Sequence, residues 1–123
     1  MYYTISPSED EKYIILKVQG EINRKDAMVQ NLEAHALGKE KGINRYLVDV
    51  TEAKNTDSIT NNYEFAYTDI KKTESIDKTA HVAILVSPED HSHDFIETVA
   101  RNSGLNVTIF NDPELARQHL LKE

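Results

Sequence analysis

The sequence contains no cysteine and no tryptophan, and its 123 residues include only four glycines and three prolines. Without cysteine the chain has no disulfide, no thiolate metal ligand and no cysteine nucleophile. Neither G-x-G-x-x-G nor a P-loop is present, which excludes the common phosphate-cradling motifs. A chain of this length is expected to form one domain, 1–123, with a core that needs no covalent staple.

Positive charge and long apolar runs are also scarce. The chain has 14 Lys and Arg against 21 Asp and Glu, a formal net charge of −7. This balance disfavours nucleic acid and anionic membrane surfaces, because both are negatively charged. No apolar run approaches the roughly 20 residues of a membrane-spanning helix. Residues 1–10 lack the basic start and apolar stretch of a signal peptide, so a cytoplasmic location is expected.

Apolar residues alternate with polar ones, or form short runs, in five segments. This pattern predicts strands over 2–5, 13–19, 46–50, 81–86 and 106–110, with 51–56 as a loop. Apolar residues at helical spacing predict four helices, one after each strand from the second onward. The resulting order, β-β-α-β-α-β-α-β-α, predicts an α/β fold with a mostly parallel mixed sheet and an antiparallel edge strand.

The helix ends carry recognisable capping residues. Asn23 is a good N-cap for the first helix, Gly42 fits its end, and Met28, Leu32 and Ala36 form its predicted buried side. The later helices are predicted to start at Asp57 or Ser58, at Ser92 and at Asp112-Pro113, and Gly104 is predicted to end the third.

Three stretches follow one another in an order that resembles the STAS domains of sulfate transporters and bacterial anti-sigma-factor antagonists. The first is Gly20-Glu21-Ile22, and the second is Leu47-Val48-Asp49-Val50 followed by Asp57-Ser58. The third stretch comprises Ser87-Pro88, Phe95, Ser103-Gly104-Leu105, Phe110 and Ala116. The resemblance extends to the SpoIIAA-like (STAS/SEC14) group of small bacterial proteins. It implies a SpoIIAA-like fold of about five strands and four helices, in agreement with the segment order.

The resemblance also implies a regulatory, protein-binding function. In anti-sigma-factor antagonists a kinase modifies the Ser after the Asp of D-S-S-G, and Ser58 occupies that position here. Ile59 and Thr60 replace the following Ser-Gly, and the loop 52–56 is more polar than is usual in the family. The implied partner is a protein such as a kinase or a regulator. Homodimers are also common among such modules.

Ser58 is therefore the candidate phosphosite. A phosphate there would lie at a helix N-terminus, where free N–H groups favour an anion, and would switch a docking face. The contact residues predicted for that face are Asp57, Ser58, Asn61, Asn62 and Phe65. The alternative is that Asp57 or Ser58 simply caps the helix. Phosphate found on Ser58 after treatment with a cognate kinase would support the switch, and phosphate found only elsewhere would contradict it.

The run Asp90-His91-Ser92-His93-Asp94 combines two imidazoles with two carboxylates. Such side chains bind metals, but His-x-His converges only on an extended backbone, and Ser92 is predicted to cap a helix. No metal and no cofactor is expected, and zinc binding seen by calorimetry would overturn this. A triad of Ser58, His91 or His93, and Asp49 lacks a nucleophile elbow, so the chain is not expected to be an enzyme.

A different class of function, a carrier of a small apolar ligand or lipid, is the alternative. The resemblance to the STAS/SEC14 group implies it, and it requires an apolar pocket between the sheet and the helices. The predicted lining residues are Tyr63, Tyr67, Phe95 and Phe110. Phe65, about 200° from Tyr63 around the same helix, is predicted either to face outward as an anchor or to pack against the preceding loop.

Overall fold

A computed structural model describes residues 2–56, 61, 65–70, 72–74, 76–102 and 104–122, except for the side chains of Ala66 and Tyr67. In chain order its elements are β1 (Tyr2–Pro7), β2 (Ile14–Ile22), α1 (Arg24–Lys41), β3 (Arg45–Asn55), a π-helix (Phe65–Ile70), β4 (His81–Leu85), α2 (Asp94–Asn102), β5 (Asn106–Phe110) and α3 (Pro113–Leu121).

The five strands form one sheet in the order β1-β2-β3-β4-β5. The strand β1 is antiparallel to β2, with Tyr3 opposite Val18, and every other neighbouring pair is parallel. Each parallel connection runs through a crossover to the adjacent strand, which is the usual arrangement for strands separated by helices. The predicted α/β class, with a mostly parallel sheet and an antiparallel edge strand, is confirmed.

The third strand is longer than the sequence predicts. The polar stretch 51–56 is predicted as a loop, but β3 continues to Asn55 and pairs with the end of β2. Ala53 is buried, whereas Glu52 points outward and accepts a hydrogen bond from the Gln19 amide at 2.8 Å. The polar side chains therefore belong to the outward-facing row of two paired strand ends. Composition alone does not distinguish such a strand end from a loop.

The first helix starts and ends where predicted but is rotated. The Asn23 side chain accepts a hydrogen bond from the Asp26 amide, and Gly42 ends the helix with φ 70°. The predicted buried side is wrong, because Leu32 and Ala36 are exposed and Met28 is half-buried. The helix instead buries the set Gln30, Ala34, His35 and Gly38. Gly38 shows why: a methyl group there would collide with the Tyr46 hydroxyl and the Ile43 carbonyl, so the backbone lies directly on the sheet.

Two of the predicted later caps, Asp112 and Ser92, lie in the described residues, and only the first of these two is observed. Asp112 caps α3, with Pro113 in the first turn, as predicted. Ser92 is not seen to cap α2, because that helix begins at Asp94 and the Ser92 hydroxyl accepts a hydrogen bond from the Asn55 amide at 3.1 Å. Ser92 thus connects the end of β3 to the loop before α2.

The sheet has two differently covered faces. The cavity face bears Leu16, Val18, Val48 and Ile84 and is covered by α1, the π-helix and α2. The packed face bears Ile15, Leu47, Ala83 and Phe110 and is covered by α3. Because side chains alternate along a strand, neighbours such as Leu47 and Val48 contribute to opposite faces.

Candidate ligand-binding cavity

A partly enclosed cavity of about 150 Å³ lies between the cavity face of the sheet and the elements that cover it. Its floor consists of branched apolar side chains from the three central strands and β5: Leu16, Val18, Val48, Val50, Val82, Ile84 and Val107. Side chains that branch at Cβ stand away from the pleated backbone and give a rigid apolar surface. This floor is suited to an apolar molecule.

The π-helix and α2 supply the apolar walls. Phe65 and Ile70 both line the cavity, and Ile70 is buried. The i→i+5 bonding of a π-helix brings residues five apart onto one side, so both ends of this six-residue segment face the same space. Ile96 and Ala100 of α2 complete the wall opposite.

Helix α1 supplies a polar wall. Gln30 is 2 % exposed and His35 is 6 % exposed, and both line the cavity together with Asn31. The Asn31 amide donates to the Ala27 carbonyl at 2.8 Å, which satisfies it within the helix. His35 stacks on the Tyr46 ring with centroids 4.4 Å apart, and its Nδ1 accepts a hydrogen bond from the Asp77 amide at 3.2 Å. Burial lowers the pKa of His35, so the ring is neutral at pH 7.

A second buried histidine lies at the α2 side of the cavity. His93 is 5 % exposed, and its Nε2 lies 3.4 Å from the Ala53 carbonyl oxygen and 3.6 Å from Asp90 Oδ2. Burial lowers the pKa of His93. The pKa of Asp90 is also below its ordinary value: burial acts to raise it, but hydrogen bonds from Ser92 and the nearby His93 and Lys54 outweigh that effect. Asp90 therefore stays ionised at neutral pH beside the neutral His93 ring.

An ion pair joins the first turn of α1 to the π-helix beside the cavity. Arg24 Nε donates to Asp69 Oδ2 at 2.6 Å, and its terminal nitrogen donates to Oδ1 at 2.9 Å. This two-bond geometry is the strong form of the arginine–carboxylate interaction. It holds the π-helix, and with it Phe65 and Ile70, against α1.

Two further depressions lie near the carboxyl ends of the parallel strands, lined by loop residues such as Pro88 and Glu89. In open α/β sheets ligands bind at such an edge where the strand order reverses. The strand order here runs from β1 to β5 without reversal, and the crossovers after β2, β3 and β4 all contribute to the cavity face. The cavity between the layers is therefore the better candidate site.

The structure separates the aromatic residues predicted to line a pocket. Phe95 is 37 % exposed, and Phe110 lies on the packed face with its ring 5.2 Å from that of His119, so neither is among the lining residues. Tyr63 and the Tyr67 side chain lie outside the described residues. Among the Phe and Tyr side chains that the structure describes, Phe65 lines the cavity, and it is half-buried.

The predicted docking face falls mostly outside the described residues. Asp57, Ser58 and Asn62 are not described, and Asn61 is half-buried. The phosphate switch at Ser58 therefore stays a prediction from the sequence.

The histidine-rich run does not converge. His91 is exposed and lies 3.0 Å from the Asp94 carboxylate, whereas His93 is buried against Asp90 and Ala53. Within the described part of the chain, no three His, Asp or Glu side chains come together in a way that could hold a metal. Asp49, the acid of the conceivable triad, instead accepts hydrogen bonds from the amide and hydroxyl of Thr51.

The fold and the cavity thus define an α/β protein with a small apolar site between its layers. No protein-family model and no curated protein matches the chain. The five-stranded α/β architecture is consistent with a STAS-like fold, and the family itself stays a prediction from the sequence motifs. None of the helices in the described ranges is long and apolar enough to cross a membrane.

Proposed function

We propose that this protein is a non-catalytic module that binds a small, mainly apolar ligand in the cavity between the sheet and α1. The observation that carries the proposal is the cavity itself, about 150 Å³ in volume with a floor of Leu, Val and Ile side chains. An apolar cavity of about that volume stays dry and accommodates benzene in another protein. A polar cavity would instead hold ordered water.

The volume points to a small ligand. Sites for drug-sized molecules measure roughly 300–1,000 Å³, so a two-chain lipid would not fit without a large rearrangement. A single aromatic ring or a short branched chain matches the space. This narrows the carrier hypothesis from lipids in general to compact apolar molecules.

The lining favours binding over chemistry. No Ser, Thr or Cys is found among the lining residues that the structure describes. Lys78 and Asp77 also line the cavity, but the Lys78 ammonium donates to the Thr73 carbonyl and Asp77 accepts from Thr79, so both are engaged in structural hydrogen bonds. His35 and His93 are each tied to a backbone group, which suits them to hold a fixed wall.

The test is a titration with benzene and with indole, followed by ¹H–¹⁵N NMR. Shifts at residues of the cavity face, such as Val48 and Ile84, are expected, whereas Ala83 and Leu120 on the packed face should not respond. Ala27→Leu fills the cavity from α1 and should abolish these shifts. Ala36→Leu is the matched control, because it makes the same change at an exposed position of the same helix. Absence of shifts in the wild type, or equal shifts in Ala27→Leu, would overturn the proposal.

A further inference from the structure

The inference concerns the polar wall of the cavity and rests on the proposed function. It starts with the protonation of His35. The Asp77 backbone N–H donates to Nδ1 at 3.2 Å, and a nitrogen that accepts a hydrogen bond carries no proton. In a neutral imidazole the single proton must then be on Nε2. The Asp77 amide thus fixes the tautomer of the ring.

The orientation of the ring is also fixed. The ring stacks on Tyr46 at an interplanar angle of 21°, and the Tyr46 hydroxyl donates to the Ile43 carbonyl at 3.3 Å. Gly38, one turn along α1, lets the helix approach closely enough for this stack. His35 is therefore held by contacts on its face and at Nδ1, and neither contact uses Nε2.

The Nε2–H group has no acceptor within hydrogen-bond distance among the residues that the structure describes, and His35 lines the cavity. In that part of the chain no buried side-chain nitrogen or oxygen lacks a partner, so Nε2 is accessible to a water-sized probe. A ligand oxygen can replace the hydrogen bond of a water displaced from Nε2–H, whereas an apolar group cannot. Two α1 amides also line the cavity: Asn31 is bonded within the helix, and Gln30 has an interaction partner of its own. The His35 Nε2–H group is thus a donor on α1 that a ligand can use.

The charges around the cavity are of both signs and do not favour a strongly charged ligand. The Arg24 guanidinium is already paired with Asp69. Asp77 accepts hydrogen bonds from the amide and hydroxyl of Thr79, the first of these at 2.8 Å, and its pKa is lowered by these bonds. Asp77 and Lys78 both line the cavity beside His35, so an ion of either sign would meet a like charge as well as an opposite one and would also have to leave water.

We propose that the ligand is a small neutral molecule with an apolar body and one hydrogen-bond-accepting oxygen, and that this oxygen accepts from His35 Nε2–H. An aryl ketone has this chemistry. The floor of Val48, Val82 and Ile84 holds the apolar body, and His35 selects the ligand by its oxygen. His35 acts as a binding residue, and its contact with Asp77 sets which nitrogen donates.

The test compares acetophenone with α-methylstyrene, which has nearly the same shape but carries a CH₂ group in place of the carbonyl oxygen. Wild-type protein should bind acetophenone about tenfold more tightly, the ratio expected for one neutral hydrogen bond. His35→Phe keeps a ring for the stack on Tyr46 but removes the donor, so the two affinities should become equal. His91→Phe, in the exposed loop, is the control that should keep the tenfold ratio.

A second measurement uses the wild type alone, so the test does not depend on the folding of a variant. Long-range ¹H–¹⁵N spectra of the His35 ring should show the Nε2-protonated tautomer, and acetophenone but not α-methylstyrene should shift Nε2–H. Equal binding of both compounds to the wild type would overturn the role of His35 and leave the proposed function standing. Failure of both compounds to bind would overturn the proposed function and this inference with it.

Discussion

The two faces of the sheet bury apolar side chains in different ways. On the packed face Ala83 is 0 % exposed beneath the nine-residue helix α3, whose own Ala116 and Leu120 are also 0 % exposed. On the cavity face two helices and the π-helix cover larger side chains but leave about 150 Å³ unfilled. Ala83 and Ala116 meet at the contact between α3 and the strands, whereas on the cavity face α1 touches the sheet at Gly38 and leaves the space beside Ala27 unfilled. A well-filled face stabilises the fold, and the incompletely filled one is available for a ligand.

The largest effect is expected at the centre of the packed face. Leu120→Ala removes a side chain that is 0 % exposed and should lower the free energy of unfolding by about 2–5 kcal/mol, because it leaves a void in close-packed surroundings. Urea denaturation measures this loss. Leu115→Ala, on the same helix but 52 % exposed, should change stability by less than about 0.5 kcal/mol. Similar losses for both variants would show that α3 is not packed as described.

Replacing a small residue by a larger one should change stability differently on the two faces. Ala116→Leu adds volume where none is free and should cost about 1–3 kcal/mol through overpacking. Ala27→Leu adds the same volume to the cavity and should be neutral or stabilising, since the new side chain buries apolar area without displacing atoms. Thermal unfolding of both variants makes the comparison. A large loss in Ala27→Leu would mean that the cavity is not open to side-chain atoms.

Lowering the pH should destabilise the protein through the two buried histidines of the cavity face. His35 and His93 have pKa values below the ordinary 6.5, chiefly because of burial. The unfolded chain therefore takes up these protons at higher pH than the folded one, so stability should be constant above about pH 6.5 and fall as the pH drops below it. Asp77 and Lys78 lie near His35, and Asp90, Asp94 and Lys54 lie near His93.

Urea denaturation at pH 7.5, 6.5 and 5.5 measures this fall. Within this range Asp77 and Asp90 stay ionised, because their pKa values lie below 3.8. His35→Phe should reduce the fall, and His91→Gln, at a ring that is 76 % exposed, should not. An unchanged fall in His35→Phe would contradict the account of that buried ring.

The smallest effect is expected at the ion pair beside the cavity. Arg24→Gln should cost about 1 kcal/mol, because the half-buried pair with Asp69 loses both of its charged hydrogen bonds. Lys17→Gln breaks a more exposed pair with Glu52, with nitrogen and oxygen 3.4 Å apart, and should cost less than about 0.5 kcal/mol. Equal costs, measured by urea denaturation, would indicate that the Arg24 pair contributes no more than a surface contact.

The elements of the packed face follow directly from local sequence rules. Asp112-Pro113 predicts the start of α3, and the period of two predicts the strands beneath it. These rules work because each depends on residues close together in the chain. The α/β class and the antiparallel edge strand could be predicted for the same reason.

The cavity face could not be predicted in this way. Apolar residues lie all around α1, so its buried side depends on what it packs against. The small residues Ala27, Ala34 and Gly38 could have indicated the buried side. They are seven and then four positions apart, so they lie on one side of a helix. That side carries His35 and Gln30 into the core. The cavity lies between elements that are far apart in the sequence, so no local pattern of residues specifies it.

The most direct test of the central claim is a crystal structure of the protein under xenon pressure, compared with one of Ala27→Leu treated in the same way. The account predicts xenon between Val48, Ile84 and Phe65 in the wild type and none there in the variant. Xenon absent from this space in the wild type, or bound only on the packed face around Ala83 and Leu120, would contradict it.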